Sequence, residues 1–242
     1  MNDHQLAAAL AAQAGELLRT VRHELADAGA AERKAQGDRR SHEFLIAALG
    51  SARPDDAILS EEAADDPARL SAERVWIVDP LDGTREFSED GRQDWAVHVA
   101  LWSGGDLVAG AVALPALGRT LSTPQVPVAA HHGGAPRIVV SRTRPPSVAL
   151  AVRDALGGEL VQMGSAGAKV AAVIEGRAEV YVHAGGQYEW DSAAPVAVAR
   201  AAGLHASRID GSPLQYNRPD PLLPDLVVCP TRYVGAVLAA VR

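Results

Sequence analysis

Residues 74–87 read Arg-Val-Trp-Ile-Val-Asp-Pro-Leu-Asp-Gly-Thr-Arg-Glu-Phe, and no other stretch limits the possible folds as much. The β-branched and aromatic run Val75 to Val78 predicts a buried strand. Pro80 cannot donate to a sheet ladder, so regular pairing is expected to stop there. Asp82-Gly83-Thr84 then opens a turn. Asp79 and Asp82 stand three residues apart across that bend, so their carboxylates can converge on one point. Two carboxylates at one point repel unless a cation sits between them. An oxygen-only ligand set suits a hard cation such as Mg²⁺, which keeps several waters and also binds phosphates. The N–H groups of Gly83 and Thr84 lie where a turn or helix begins, a natural phosphate seat. A lone Asp-Gly pair is usually only a turn; the whole Asp-Pro-Leu-Asp-Gly-Thr directly after a hydrophobic strand is far more specific.

Haloacid-dehalogenase phosphatases carry Asp-x-Asp-Gly-Thr, with the two Asp residues two apart on one side of the chain. Here the spacing is three and the motif lies far from the N-terminus. Trp76 to Phe87 instead resembles the inositol monophosphatase superfamily of metal-dependent phosphatases, whose pattern is Trp-x-x-Asp-Pro-[Ile/Leu]-Asp-Gly-Thr-x-x-Phe. Within it, Arg85-Glu86-Phe87 is similar to the Asp-Gly-Thr-[Lys/Arg]-Glu-Phe ending of adenosine bisphosphate nucleotidases. Inositol monophosphatases usually read Asp-Gly-Thr-Thr-Asn-Phe. A second signature stands about a hundred residues on, at Glu189-Trp190-Asp191-Ser192-Ala193-Ala194. By itself Asp191 reads as a helix N-cap. In the family's Trp-Asp-x-Ala-Ala element the same Asp caps the helix and ligates metal.

Around these motifs the chain alternates between helical and strand patterns. Leu6, Leu10, Ala14, Leu17, Val21 and Leu25 predict an amphipathic helix ending near Gly29. The charged run Ala30 to Arg40 reads as a solvated loop, followed by a helix that includes Phe44, Leu45, Ala48 and Leu49. Ala57 to Ser60 is a short strand. Trp95 to Trp102 and Leu107 to Leu114 form a hairpin about Ser103-Gly104-Gly105-Asp106, with a third strand at Arg119 to Thr123. The Pro- and Gly-rich segment Pro124 to Pro136 reads as a loop, its His131-His132 pair having no neighbouring acidic or thiol ligand. The domain boundary is placed there: an antiparallel α+β half at 1–136 and an α/β half at 137–242, with strands and helices alternating. The resemblance implies that the whole is a layered αβαβα sandwich.

Composition excludes more than it identifies. A chain of 242 residues with 48% hydrophobic content and 22% charge can bury a substantial core. Net charge of −7 argues against nonspecific nucleic-acid binding. Cys229 is the single cysteine, so no intrachain disulfide forms, which fits the cytoplasm. No apolar run approaches the roughly 20 residues of a membrane span, and no secretion signal is read at the N-terminus.

Gly164-Ser165-Ala166-Gly167-Ala168-Lys169 reads as a glycine-rich loop opening a helix at Val170 to Glu175. It lacks the spacing and the Lys-Ser/Thr ending of an ATPase P-loop. Lys169 near a helix N-terminus is poorly placed for the dipole, so it is either an ordinary surface lysine or the partner of a bound phosphate. The loop resembles the Gly-[Gly/Ser]-Ala-Gly-x-Lys of bisphosphate nucleotidases.

The resemblance implies a site residue by residue. Glu61, Asp79, the Leu81 carbonyl, Asp82 and Asp191 would hold two or three Mg²⁺ ions. Gly83 and Thr84 would seat the scissile phosphate. Asp38, Thr84 and Glu61 would serve the attack of a metal-bound water, without a covalent phosphoenzyme. Asp38 matches the family's loop Asp only in part, because the Pro-Val-Thr run before it is missing. Lys169, Arg142 and Ser165 would meet the rest of the substrate. His183 lies where inositol monophosphatases carry a sugar-binding Glu, and it suits a nucleotide better. The implied substrate is adenosine 3′,5′-bisphosphate, cleaved to adenosine monophosphate and phosphate in sulfur assimilation, with its phosphosulfate form as a second substrate. Inhibition by Li⁺ is implied as well. Inositol monophosphate and fructose bisphosphate hydrolysis are the alternatives, with a non-catalytic nucleotide or metal sensor beyond them. A homodimer is left open.

Overall fold

The structure is a computed structural model that describes residues 1–128, 133–143 and 145–241; the His131-His132 pair lies outside them. Five layers stack in the order helix, sheet, helix, sheet, helix, and three apolar clusters fill the spaces between sheets and helices.

The outer helical layer is α1 (Asp3–Glu24) and α2 (Ala30–Ala52). Asn2 accepts from the backbone of Gln5 and the Gln5 side chain accepts from the backbone of Asn2, closing a capping box at the start of α1. The expected loop at Ala30 to Arg40 is helix throughout. Its buried positions are Arg33, Gly37, Ser41, Leu45 and Leu49, a strict four-residue repeat. The stripe is helical, but its first three members are charged, absent or hydroxylated side chains, so hydrophobicity does not reveal it. Arg33 is buried because its guanidinium donates to the carbonyls of Ala26, Ala28 and Ser88 and to Asp90. At Gly37 a Cβ would come within 2.7 Å of the Phe87 ring, so only glycine lets α2 approach this closely.

The first sheet has the order β1 (Ala57–Ser60), β2 (Arg74–Asp82), β3 (Ala96–Ser103), β4 (Asp106–Leu114), β5 (Arg119–Ser122). It is antiparallel except at β1, which pairs parallel to β2 because residues 61–73 carry the chain back before β2 begins. The short helix α3 (Thr84–Ser88) follows β2.

The second sheet runs β7 (Glu159–Met163), β6 (Arg137–Ser141), β8 (Val180–Tyr188), β10 (Leu222–Cys229), β9 (His205–Ser207). Its β6, β7 and β8 are parallel; β10 runs antiparallel to both β8 and β9. α4 (Ser147–Leu156) and α7 (Val234–Ala240) cover one face. Between the sheets lie α5 (Ala166–Ile174) and α6 (Glu189–Ala201).

The alanine richness of the chain serves this middle layer. Ala193, Ala194, Ala197 and Ala199 of α6 are buried, and Gly110 of β4 lies so close that a Cβ there would meet the Ala197 methyl at 2.6 Å. Likewise Gly167 of α5 leaves no room for a Cβ beside His98 of β3. Small residues let the helices of the second half press directly on the sheet of the first, and that contact brings the site together. Among the described residues no helix is long and apolar enough to cross a membrane.

Candidate metal centre and phosphate seat

In a regular strand, residues three apart point to opposite faces. Asp79 and Asp82 of β2 point the same way because the strand is bulged between them. Asp79 lies opposite His98 and Asp82 opposite Ala96, so β2 advances three residues while β3 advances two. Pro80 occupies the bulge, where its missing N–H costs no ladder bond. The sequence predicts that pairing ends at Pro80; in the structure it resumes at Asp82, opposite Ala96. The bulge is fixed from both sides. Ser41 Oγ donates to the Pro80 carbonyl (2.7 Å), and the Leu81 N–H donates to Asp79 Oδ1 (3.0 Å). Gly83 then turns the chain with φ of 85°, in the left-handed region, and α3 begins at Thr84.

Asp191 comes from the other half. It is the third residue of α6, not its N-cap; that position is Tyr188, whose N–H donates to Asp191 Oδ2 (2.7 Å). One oxygen each from Asp79, Asp82 and Asp191 lie within 4.8 Å of one another. Glu61, directly after β1, is open to solvent on one side and lies beside Asp79 on the other.

The electrostatics follow from the crowding. Burial, then the negative charges of Glu61, Asp82 and Asp191, push the Asp79 carboxyl well above its usual range. Loss of water on the side facing the cluster, and then the charge of Asp191, raise Glu61 to about 7 although the residue as a whole stays exposed. Burial and Asp82 raise Asp191 to about 6. Burial would raise Asp82 too, but the positive charge of His98 3.2 Å away outweighs it, helped by Lys169 and Ser165, and holds Asp82 at about 2. Four acidic groups brought together with too little positive charge fit a hard divalent cation, and the all-oxygen donor set fits it chemically.

His98 was not singled out from the sequence. It is fully buried, with Nδ1 donating to the Trp190 carbonyl (3.0 Å) and Nε2 lying 3.2 Å from Asp82 Oδ2. Burial opposes a charge there, yet Asp82 and the Trp190 carbonyl raise its pKa. The signal was a histidine in the apolar run Ala96 to Ala100, but only the strand register sets it opposite Asp79.

The Gly164–Lys169 stretch is less a loop than expected. Helix α5 starts at Ala166 with Ser165 as N-cap, and what its N-terminus holds is a protein carboxylate. Asp82 Oδ2 accepts from Ser165 Oγ (2.5 Å) and from the Gly167 N–H (2.7 Å). Lys169 is buried, its Nζ donating to the Gly164 carbonyl (3.1 Å) and standing 5.4 Å from the Tyr181 ring centroid. Burial lowers its pKa, and Asp82, Glu86 and Asp191 counter that. Arg142 is already paired: its guanidinium meets Glu86 (2.9 Å) and Glu89 (2.8 Å). That gives Glu86 of the Arg-Glu-Phe ending a partner at the end of β6. His183 lies on β8, its Nε2 2.6 Å from the Gly185 carbonyl.

On the first half's side, Asp38 lies inside α2 and accepts from Thr84 Oγ1 (3.3 Å), which also reaches the Leu81 carbonyl (3.1 Å). Burial, then Glu62, raises Asp38 to about 6. If Asp38 acts through Thr84, the losses in kcat from Asp38→Ala and Thr84→Ala should not add in the double variant. Additive losses would separate the two residues.

The model of the Inositol monophosphatase family matches residues 2–152 and 137–241. The chain is 50% identical over 255 aligned residues to the 3′-phosphoadenosine 5′-phosphate phosphatase of Mycobacterium leprae, covering 100% of this chain and 94% of that one. To the 3′(2′),5′-bisphosphate nucleotidase CysQ of Escherichia coli K12 it is 34% identical, covering 74% and 77%. The solved structure of CysQ from Bacteroides thetaiotaomicron superposes with a TM-score of 0.78 at 28% identity, covering 95% and 97%.

Proposed function

Because this chain belongs to the inositol monophosphatase family, we propose that its carboxylate cluster serves a phosphatase that removes the 3′-phosphate of adenosine 3′,5′-bisphosphate. The products are adenosine monophosphate and phosphate. One observation carries the reaction type: Asp79, Asp82 and Asp191, from both halves, converge beside the Gly83–Thr84 turn. The substrate rests on the identity shared along the whole chain with a 3′-phosphoadenosine 5′-phosphate phosphatase. The phosphosulfate form of the nucleotide is a second substrate in this reading, and sulfur assimilation is the setting.

Glu61, Asp79, the Leu81 carbonyl, Asp82 and Asp191 would hold two or three Mg²⁺ ions. When bound, Mg²⁺ supplies positive charge that neutralises phosphate oxygens and acidifies water. The chain prepares the rest. Asp82 keeps its orientation because one oxygen is engaged by Ser165, Gly167 and His98. Asp191 is likewise fixed by Tyr188. The Gly83 and Thr84 N–H groups orient the phosphate, and Asp38 with Thr84 orients the attacking water. Lys169 and His183 face the remainder of the nucleotide. Arg142, held by Glu86 and Glu89, would act by bracing α3 against β6 rather than as a free cation. A cytoplasmic location belongs to the same reading, and a homodimer is left open.

The test is phosphate release with Mg²⁺ from a panel of adenosine 3′,5′-bisphosphate, inositol monophosphate and fructose bisphosphate. The nucleotide should be preferred, Li⁺ should inhibit, and excess chelator should abolish turnover. Turnover that survives the chelator overturns the mechanism, and a preference for inositol monophosphate overturns the substrate.

A further inference from the structure

Glu61 opens a run of eight exposed residues, 61–68. Such a segment has no apolar anchor of its own, yet it has to hold Glu61 beside a cluster that includes Asp191 from the other half. The run ends at Arg69, which is 1% exposed. A guanidinium this buried must be fully paired, and its partners are informative. Nε and Nη2 form a bidentate pair with Asp65 (2.6 and 2.8 Å), inside the Glu61 segment. Nη1 donates to Asn217 Oδ1 (2.7 Å) and Nη2 to the Arg218 carbonyl (2.8 Å), about 150 residues away in sequence. Asn217 Nδ2 donates back to the Arg69 carbonyl (3.3 Å).

The network continues to the site. The N–H groups of Asn217 and Arg218 donate to the two oxygens of Glu189 (2.6 and 2.8 Å). Glu189 is buried and is the first residue of α6, two before Asp191. Its own N–H donates to the Pro221 carbonyl (2.8 Å). The start of α6 is therefore clamped to the 217–221 segment, and Arg69 clamps that segment to the one carrying Glu61.

We infer that Arg69 is a positioning residue for the metal centre: through Asp65, Asn217 and Glu189 it sets the distance between Glu61 and Asp191. This rests on the metal-binding reading of the carboxylate cluster. Arg69 bonds to Asp65, Asn217 and the Arg218 carbonyl and to none of the proposed metal ligands, so its removal deletes no ligand and loosens only their relative position.

The experiment measures Mn²⁺ binding to the full chain by electron paramagnetic resonance or calorimetry, with circular dichroism as the check of folding. Arg69→Met keeps the length and removes the donors. It should weaken Mn²⁺ by about ten- to a hundredfold, the range for losing a group that orients metal ligands. Asn217→Gly removes only the side-chain link and suits the left-handed φ of 58° at that position; it should weaken Mn²⁺ in the same direction by less. Wild-type affinity in a folded Arg69→Met protein, or in Asn217→Gly should the first not fold, makes Arg69 a purely structural residue and overturns the inference. Absence of saturable Mn²⁺ binding in the wild-type chain removes the metal-site reading itself, and the inference with it.

Discussion

Replacing Asp79 by Asn should leave a folded protein whose turnover is lower by at least about a hundredfold, the scale for losing one major electrostatic element of a site. The amide keeps the size of the carboxylate, and its oxygen can still accept the Leu81 N–H that fixes the bulge. What disappears is a negative charge at the centre of the acidic cluster. The same loss should make the metal-free protein more stable. In the wild type, the Asp79, Glu61 and Asp191 carboxyls are all raised, so the folded state binds protons more tightly than the unfolded chain. Their contribution is fully present below the unfolded carboxylate range near pH 4 and fades as pH rises through about 6 and 7. Asp82, held at about 2, works in the opposite sense but only in acid. The stability gained by Asp79→Asn should therefore be small at pH 4, grow towards pH 8, and vanish when Mg²⁺ is added to the wild type. Thermal melts across that range with and without Mg²⁺ check it. Near-normal turnover in a folded Asp79→Asn protein removes Asp79 from the metal site.

The second large effect is expected at Lys169. In the proposed reading, adenosine 3′,5′-bisphosphate carries a second phosphate that would not sit on the metals, and a cation would have to meet it. Arg142 is committed to Glu86 and Glu89. The Lys169 ammonium has three donors, one of them given to the Gly164 carbonyl. A charge-assisted contact with phosphate is worth about 1.5–3 kcal/mol, or about ten- to a hundredfold in affinity. Lys169→Met keeps most of the buried volume and avoids a cavity. Its kcat/KM for the bisphosphate should fall by that factor beyond any fall for inositol monophosphate. Some loss on both is expected, since Lys169 also offsets the charge of Asp82 and Asp191. The difference between the two substrates is the measurement. Equal losses make Lys169 only a counter-charge for the acidic cluster.

Much of this molecule was legible in the order of its residues. The strand at Val75 to Val78, the hairpin of β3 and β4 and the alternation of strands and helices after residue 136 are local patterns, each written within a few neighbouring residues. The Asp-Pro-Leu-Asp-Gly-Thr turn belongs with them, since backbone sterics and side-chain period act over that same range. Local pattern failed at α2. Its buried stripe of Arg33, Gly37 and Ser41 is apolar nowhere, and it becomes a packing face only when Phe87, Leu81 and the Ser88 carbonyl arrive from elsewhere in the chain.

Tertiary structure alone decided which groups meet. Nothing near Asp82 in sequence indicates that Ser165 and Gly167 bind one of its oxygens, or that His98 lies beside it. Those contacts exist because Gly167 allows α5 onto β3 and a one-residue bulge turns Asp82 towards it. The Arg69–Asn217–Glu189 network has the same character. Its partners are set by register and by layer packing across well over a hundred residues, and neither leaves a period or motif in the sequence.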